Sequence, residues 1–248
     1  MSLKDKVVIV AGGGRDIGAA CALELAKQGA KVLITYHASA TGANEVLNKI
    51  ASAGGDAIAI QADLTQAEHA QKTVDTALEK FGKIDSLVHV SGGLLARKKI
   101  EEMEESHWHK VLDLNLSSLF LMTKAVIPHL PEGGSIVTFS SQAARDGGGA
   151  GAVAYATSKG AITTFTRALA KELGPKVRVN AVCPGMISTQ FHDDFTNDDV
   201  REKVANATAV KREGTAEEVA NLVAFLVGPQ SSYMTGTNID INGGLLFS

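Results

Sequence analysis

Short runs of apolar, largely β-branched residues recur along the chain: "KVVIV" (6–10), "KVLIT" (31–35), "AIAIQ" (57–61), "SLVHV" (86–90), "SIVTF" (135–139), "VRVNAV" (177–182) and "NIDI" (238–241). Between most of them, apolar positions fall three or four apart, as in Ile17, Cys21 and Leu25 or Val74, Leu78 and Phe81. That is the spacing of one helix face. Strands that are apolar almost throughout have to be buried on both sides, so their alternation with helices predicts a parallel sheet covered on each face. Right-handed crossovers then give an α/β, doubly wound Rossmann-type fold with a parallel sheet of about seven strands. With 248 residues, 45% hydrophobic content and no break in composition, the chain reads as a single domain over 1–248.

Composition narrows the partners. The net charge is −3 and no basic block interleaves with aromatics, which points to a small soluble partner and away from nucleic acid. The leading "MSLKDKVVIV" has too short an apolar run for a secretory signal, and no later stretch approaches membrane-spanning length. A cytoplasmic protein with no membrane partner is expected. Cys21 and Cys183, the only cysteines, sit in apolar contexts and read as buried reduced thiols. In "SHWHKV" (106–111) His107 and His109 are two apart, a poor spacing for metal ligands, and no metal is expected. Trp108 reads as core or interface packing, and Glu101, Glu102, Glu104 and Glu105 as a solvated helix start.

In a sheet of this kind ligands bind at the carboxyl ends of the strands, so the following loops should carry the chemistry. The first, "AGGGRDIG" (11–18), leaves a strand and opens a helix. There Gly12, Gly14 and Gly18, with Ile17, would let backbone N–H groups and the helix dipole meet a pyrophosphate. A purely structural turn is the other reading. Asp16 is expected to cap the helix, its carboxylate accepting a first-turn N–H and pointing away from the phosphates. The second strand ends in Tyr36 and His37 without an acid, while Arg15 extends from the turn. This favours NADP(H) and leaves NAD(H) possible, with Arg15 as an ordinary surface side chain the alternative.

Ser141 follows the fifth strand, and "YATSKGAITTF" begins fourteen residues later with Tyr155 and Lys159. Four apart on a helix, these two share a face. An ammonium beside a phenol favours the phenolate, so Tyr155 could exchange a proton with a carbonyl or alcohol oxygen that Ser141 also binds. An amphipathic surface helix would carry the same pair.

Taken together these features resemble the short-chain dehydrogenase/reductase family over essentially the whole chain. The glycine turn is joined by "DL" after the third strand, Asn115 in "VLDLNL", a serine before "YATSK", "PG" after the sixth strand and a closing "TGTNIDINGG". The resemblance implies hydride transfer between a nicotinamide cofactor and a carbonyl or alcohol. Tyr155 would be general acid/base, Lys159 would lower its pKa and hold the ribose, Ser141 would orient the carbonyl, and Asn115 would support a relay water. It puts Asp63 at the adenine and Thr189 at the nicotinamide amide, with Leu64, Ser91, Gly92, Pro184, Gly185 and Ile187 also in the cofactor site. It further implies a homotetramer, to which the apolar tail "LLFS" would contribute a buried contact. Two departures stand out. Ala11 and Asp16 replace the threonine and middle glycine of the usual turn, and "HVSG" (89–92) replaces the usual NNAG.

Substrate choice should lie in the irregular loops "GGLLARKK", "QAARDGGGAG" and "MISTQFHDDF". Arg97, Lys98, Arg145, Asp146 and His192 are expected to ring one opening, where two arginines would suit a carboxylate. The amphipathic stretch within 188–214 is expected as a lid or an ordinary surface helix. Phrases in these loops are similar to bacterial short-chain reductases acting on 4-deoxy-5-oxo-hexuronate, an alginate breakdown product, so an oxo sugar acid is the expected substrate. A 3-oxoacyl-[acyl-carrier-protein] reductase is the alternative within the family. A silent cofactor-sensing or scaffold protein is the alternative outside it, and the intact Ser141, Tyr155 and Lys159 speak against that.

Overall fold

Every predicted apolar run becomes a strand. In the computed structural model, which describes residues 3–247, these are β1 (Val7–Ala11), β2 (Lys31–Tyr36), β3 (Ala57–Gln61), β4 (Ser86–His89), β5 (Gly134–Phe139), β6 (Val177–Pro184) and β7 (Asn238–Ile241). Met1 and Ser2 of the leading segment and Ser248 of the apolar tail lie outside the described residues. The strands form one sheet in the order β3-β2-β1-β4-β5-β6-β7, and every adjacent pair is parallel. Strand order reverses between β1 and β4, which opens a crevice at their carboxyl ends.

The helices are α1 (Asp16–Lys27), α2 (Ala40–Ser52), α3 (Ala67–Phe81), α4 (Glu105–Leu112), α5 (Ser118–Val126), α6 (Ala143–Asp146), α7 (Val153–Leu173), α8 (Gln190–Phe195), α9 (Asp198–Ala207) and α10 (Ala216–Val227). Alternate strand residues feed two cores. Val8, Val10, Val32, Ile34, Val88 and Val182 pack with Cys21 and Leu25 of α1 and Val219 and Val223 of α10. On the other face Ile9, Leu33, Leu87, Ile136 and Val179 meet Val74 of α3, Met122 and Val126 of α5 and Leu169 of α7. Burial on both faces is why the strands lack the alternation of a half-exposed sheet. Cys21 and Cys183 are both buried free thiols.

One sequence expectation fails here. From Glu105 to His129 the helix runs on for 25 residues, long and apolar enough by length and composition to cross a membrane. The run is continuous because a π-helical turn, Asp113–Ser117, joins α4 to α5 without a break. Val111, Leu119, Met122 and Val126 on its inner side are fully buried, while Phe120 on the other side is exposed.

Candidate active site

The carboxyl ends of the central strands border one cavity of about 1170 Å³. That exceeds the roughly 300–1,000 Å³ that pockets for a single drug-sized ligand occupy. Its floor is the glycine turn. Gly12 has φ +84°, and a Cβ there would stand 2.9 Å from the backbone nitrogen of Ser91. At Gly18 a Cβ would run into the carbonyl oxygen of Gly12, so only glycine lets α1 begin this close to β1. Gly12, Arg15, Ile17, Gly18, Tyr36 and His37 all line the cavity. Glycine backbone exposed at the start of a helix fits a dinucleotide pyrophosphate.

Of the expected cofactor residues, Asp16 also lines the cavity, whereas Gly14, Asp63 and Leu64 do not. Gly14 is not part of the lining: it lets the turn pack on the next loop, where a Cβ would come within 2.6 Å of the Ser39 hydroxyl. Asp63 and Leu64 also stand off the lining. The Asp63 carboxylate is engaged by the Thr65 hydroxyl and backbone N–H, which hold its pKa below the ordinary value, and Leu64 is buried in the core. The capping role expected of Asp16 is not observed, because Arg15 is the N-cap of α1 and no side chain caps it. Asp16 instead has φ +52°, and its Oδ1 accepts the backbone N–H of Gln190 at 3.0 Å.

The turn's missing threonine is replaced from another strand. Thr35 of β2 accepts the Gly12 N–H through its hydroxyl (3.0 Å) and the Gly13 N–H through its carbonyl (2.9 Å). The absent asparagine of the fourth loop is covered by backbone, since the N–H groups of Val90 and Ser91 both donate to Ala11 O at 2.9 Å. Ser91, Gly92, Pro184, Gly185, Ile187 and Thr189 all line the cavity as expected.

At the cavity's inner end Ser141, Tyr155 and Lys159 come together. The Ser141 hydroxyl accepts the Ala143 N–H at 3.1 Å and stands near enough to the Tyr155 phenol to bear on its pKa. Lys159, buried, donates from Nζ to Phe139 O (2.8 Å) and lies 5.6 Å from the Tyr155 ring centre. A second clamp holds the same helix, the Ser140 hydroxyl donating to Lys159 O at 2.8 Å. Burial lowers the Lys159 ammonium to about 8. Burial also pushes the Tyr155 phenol above its ordinary value, with the nearby Ser141 side chain acting in the other direction. The Lys159 ammonium addresses the Phe139 carbonyl and the face of the Tyr155 ring, while burial sets the direction of the phenol's shift.

Asn115 does not line the cavity. It lies in the π-helical turn, fully buried, where Oδ1 accepts the Gly93 N–H (2.9 Å) and Nδ2 donates to Gly93 O and Val111 O (both 2.8 Å). Its side chain fixes the glycine pair beside Lys159: a Cβ on Gly92 would stand 2.5 Å from Asn115 Oδ1 and 3.2 Å from Lys159 Nζ.

The expected ring of charged substrate residues is only partly assembled. Arg145 points away from the cavity to an ion pair with Asp240 of β7, and Lys98 is likewise absent from the lining. Arg97 does line the cavity, but Nε donates to Phe195 O and Nη1 to Gly148 O and Ala150 O. It is a strut between loops. His192 faces the cavity with Nδ1 3.0 Å from the Thr196 hydroxyl, and burial lowers its pKa. Residues missed in the sequence line the same wall. Phe191 stacks at 6.0 Å from Tyr155, with Phe195, Val200, Val204 and Leu94 around it. Of these, Val200 and Val204, four apart on α9, leave a helical spacing in the sequence. The apolar tail divides, Leu245 turning into the cavity while Phe247 stays 84% exposed.

The chain is similar to known proteins over almost its whole length. Residues 12–246 match the family model described as Enoyl-(Acyl carrier protein) reductase. A 3-oxoacyl-[acyl-carrier-protein] reductase from Synechocystis is 38% identical, covering 99% of this chain and 98% of its own. A short chain dehydrogenase from Burkholderia cenocepacia solved in complex with NADP is 37% identical with a TM-score of 0.92, over 99% of each chain. The NADH-dependent reductase A1-R', described as responsible for alginate metabolism, is 33% identical with a TM-score of 0.90, again over 99% of each chain.

Proposed function

The chain belongs to the short-chain dehydrogenase/reductase family and is an NAD(P)(H)-dependent oxidoreductase, and from that premise we propose that it reduces a carbonyl compound to an alcohol at Tyr155. The observation that carries this reading is that Ser141, Tyr155 and Lys159, the last 5.6 Å from the tyrosine ring centre, line the same cavity as the glycine turn. When bound, the nicotinamide supplies the hydride.

The protein's own residues supply the rest. A phenol held above its ordinary pKa stays protonated near neutrality, the state required of a general acid. Tyr155 gives that proton to the carbonyl oxygen while the Ser141 hydroxyl donates a hydrogen bond to the same oxygen as charge builds on it. Lys159, fixed by Phe139 and adjacent to Gly92, presents a cation where the cofactor ribose would lie. Asn115 acts at one remove by holding the Gly92–Gly93 backbone.

NADP(H) is the preferred cofactor in this reading. β2 ends in Tyr36 without an acid beside it, and the Arg15 side chain, 58% exposed, extends from the turn where a 2′-phosphate would need a partner. The substrate side favours an apolar body beside the carbonyl, because Phe191, Phe195, Val200 and Leu94 line the wall near Tyr155. With Arg145 committed to Asp240, a paired-arginine carboxylate site is not formed, which removes the geometric support for an oxo sugar acid. The apolar wall also suits the acyl part of a 3-oxoacyl thioester, which therefore stands as the second reading.

A panel of aryl ketones, 3-oxoacyl thioesters and oxo-uronates with each reduced cofactor tests this directly. Tyr155→Phe should lower turnover by about a thousandfold or more while NADPH still binds, since only the transferable proton is lost. Residual activity above about a tenth of the native rate would remove Tyr155 from the chemistry.

A further inference from the structure

Asp16 stands where glycine would cost least. Its backbone is in the left-handed region at φ +52°, which asparagine and aspartate tolerate better than other side-chain-bearing residues but which still favours glycine. Asp16 is also one of the residues lining the cavity, and its carboxylate is paired with Arg15 at 3.6 Å. The conformation alone would favour glycine here. What the acid does is reach across 174 residues of sequence to the Gln190 N–H.

Gln190 is the first residue of α8. The preceding Thr189 makes no side-chain cap, its hydroxyl donating to Ile187 O, and the acceptor for the Gln190 amide is supplied by the glycine turn. The next residues are Phe191, 6.0 Å from the Tyr155 ring, and His192, packed edge-on to Phe191. The far end of α8 is held separately by Arg97 on Phe195 O, and α9 by the ion pairs of Arg201 with Asp193 and Glu213. Asp16 is thus the tie at the end of α8 that carries the substrate wall.

We propose that Asp16 is a positioning residue for the carbonyl substrate: from within the dinucleotide turn it fixes the start of α8, and thereby where Phe191 and His192 stand against Tyr155. The inference rests on the proposed carbonyl reduction for its kinetic consequence, but not for its structural one. It also explains why an acid is tolerated in a phosphate-binding turn. The segment that covers the substrate is anchored to the loop that holds the cofactor, so order in one supports order in the other.

Two variants test it. Asp16→Gly removes the tie and relieves the backbone, so it should fold at least as well as the native protein. Asp16→Asn keeps an oxygen acceptor at the same place and a residue that accepts positive φ. Hydrogen exchange of peptides spanning 187–197 should be about tenfold faster in Asp16→Gly, with Asp16→Asn within about threefold of native. KM for the carbonyl substrate should rise about tenfold in Asp16→Gly, while NADPH affinity holds or improves because a negative charge has left the turn. Exchange at the start of α8 that is unchanged in Asp16→Gly, or equally accelerated in Asp16→Asn, overturns the tie, and an unchanged KM overturns its bearing on substrate. Should the native protein reduce no carbonyl, the functional reading fails alone, and the exchange comparison still decides the tie by the same two criteria.

Discussion

At the end of β4 the ring of His89 is buried, with Nε2 lacking any partner among the described residues. Burial, with the Lys159 charge adding to it, lowers its pKa from 6.5 to about 3. The folded protein therefore keeps this imidazole neutral over a range in which the unfolded chain protonates it. The sign follows from linkage: this stability is fully present above pH 6.5 and lost as pH falls toward 3, at about 1.4 kcal/mol per pH unit. Urea unfolding of native protein and His89→Asn should show the native protein losing about 3 kcal/mol more than the variant between pH 7 and pH 4. Equal losses would mean that the ring is hydrated. The sequence displayed this histidine as a departure from the usual asparagine, yet nothing in its neighbours along the chain shows that Lys159 and the body of the sheet close around it. The same limit applies to Asp16, whose partner lies far along the chain, and to Arg145, whose partner is on the last strand.

Elements were easier to read than individual side chains. A helix or strand leaves a periodic record, and the seven strands appear within a residue or two of where the apolar runs place them. The first crossover shows what such a record contains and omits. Gly12 and Gly18 were legible because a strand-to-helix turn over phosphate needs close backbone approach. The brace from Thr35 was not, since it depends on the register of β2 against β1. Gly18→Ala should push α1 off β1, costing about 1–3 kcal/mol by overpacking and abolishing dinucleotide binding. Urea unfolding and a fluorescence titration with NADPH measure the two effects. Binding that survives the added methyl would show that the turn is not the phosphate site. α8 illustrates the opposite case: six residues are too few for periodicity to set its direction, and only packing on Tyr155 reveals its bearing on the site.

For the molecule as a whole, the cavity draws on loops from both halves of the sheet, so a ligand bridging them should stabilise the entire fold. At a concentration of one hundred times Kd, NADPH should add about 2.7 kcal/mol and raise the melting temperature accordingly. NADH at the same concentration should raise it less, and Arg15→Ala should bring the two shifts together. A larger shift with NADH would reverse the cofactor preference. The amino-acid sequence by itself determined the layered α/β fold, the glycine turn and the Tyr155–Lys159 pair, because strand periodicity, crossover handedness and helix spacing are local or rule-bound. Only the tertiary structure decided that Arg145 serves Asp240, that Asp63 and Leu64 stand off the cavity, and that Asp16 reaches Gln190. Those outcomes depend on where irregular loops carry side chains after the sheet has closed, and aperiodic loops leave no spacing from which a distant partner can be read.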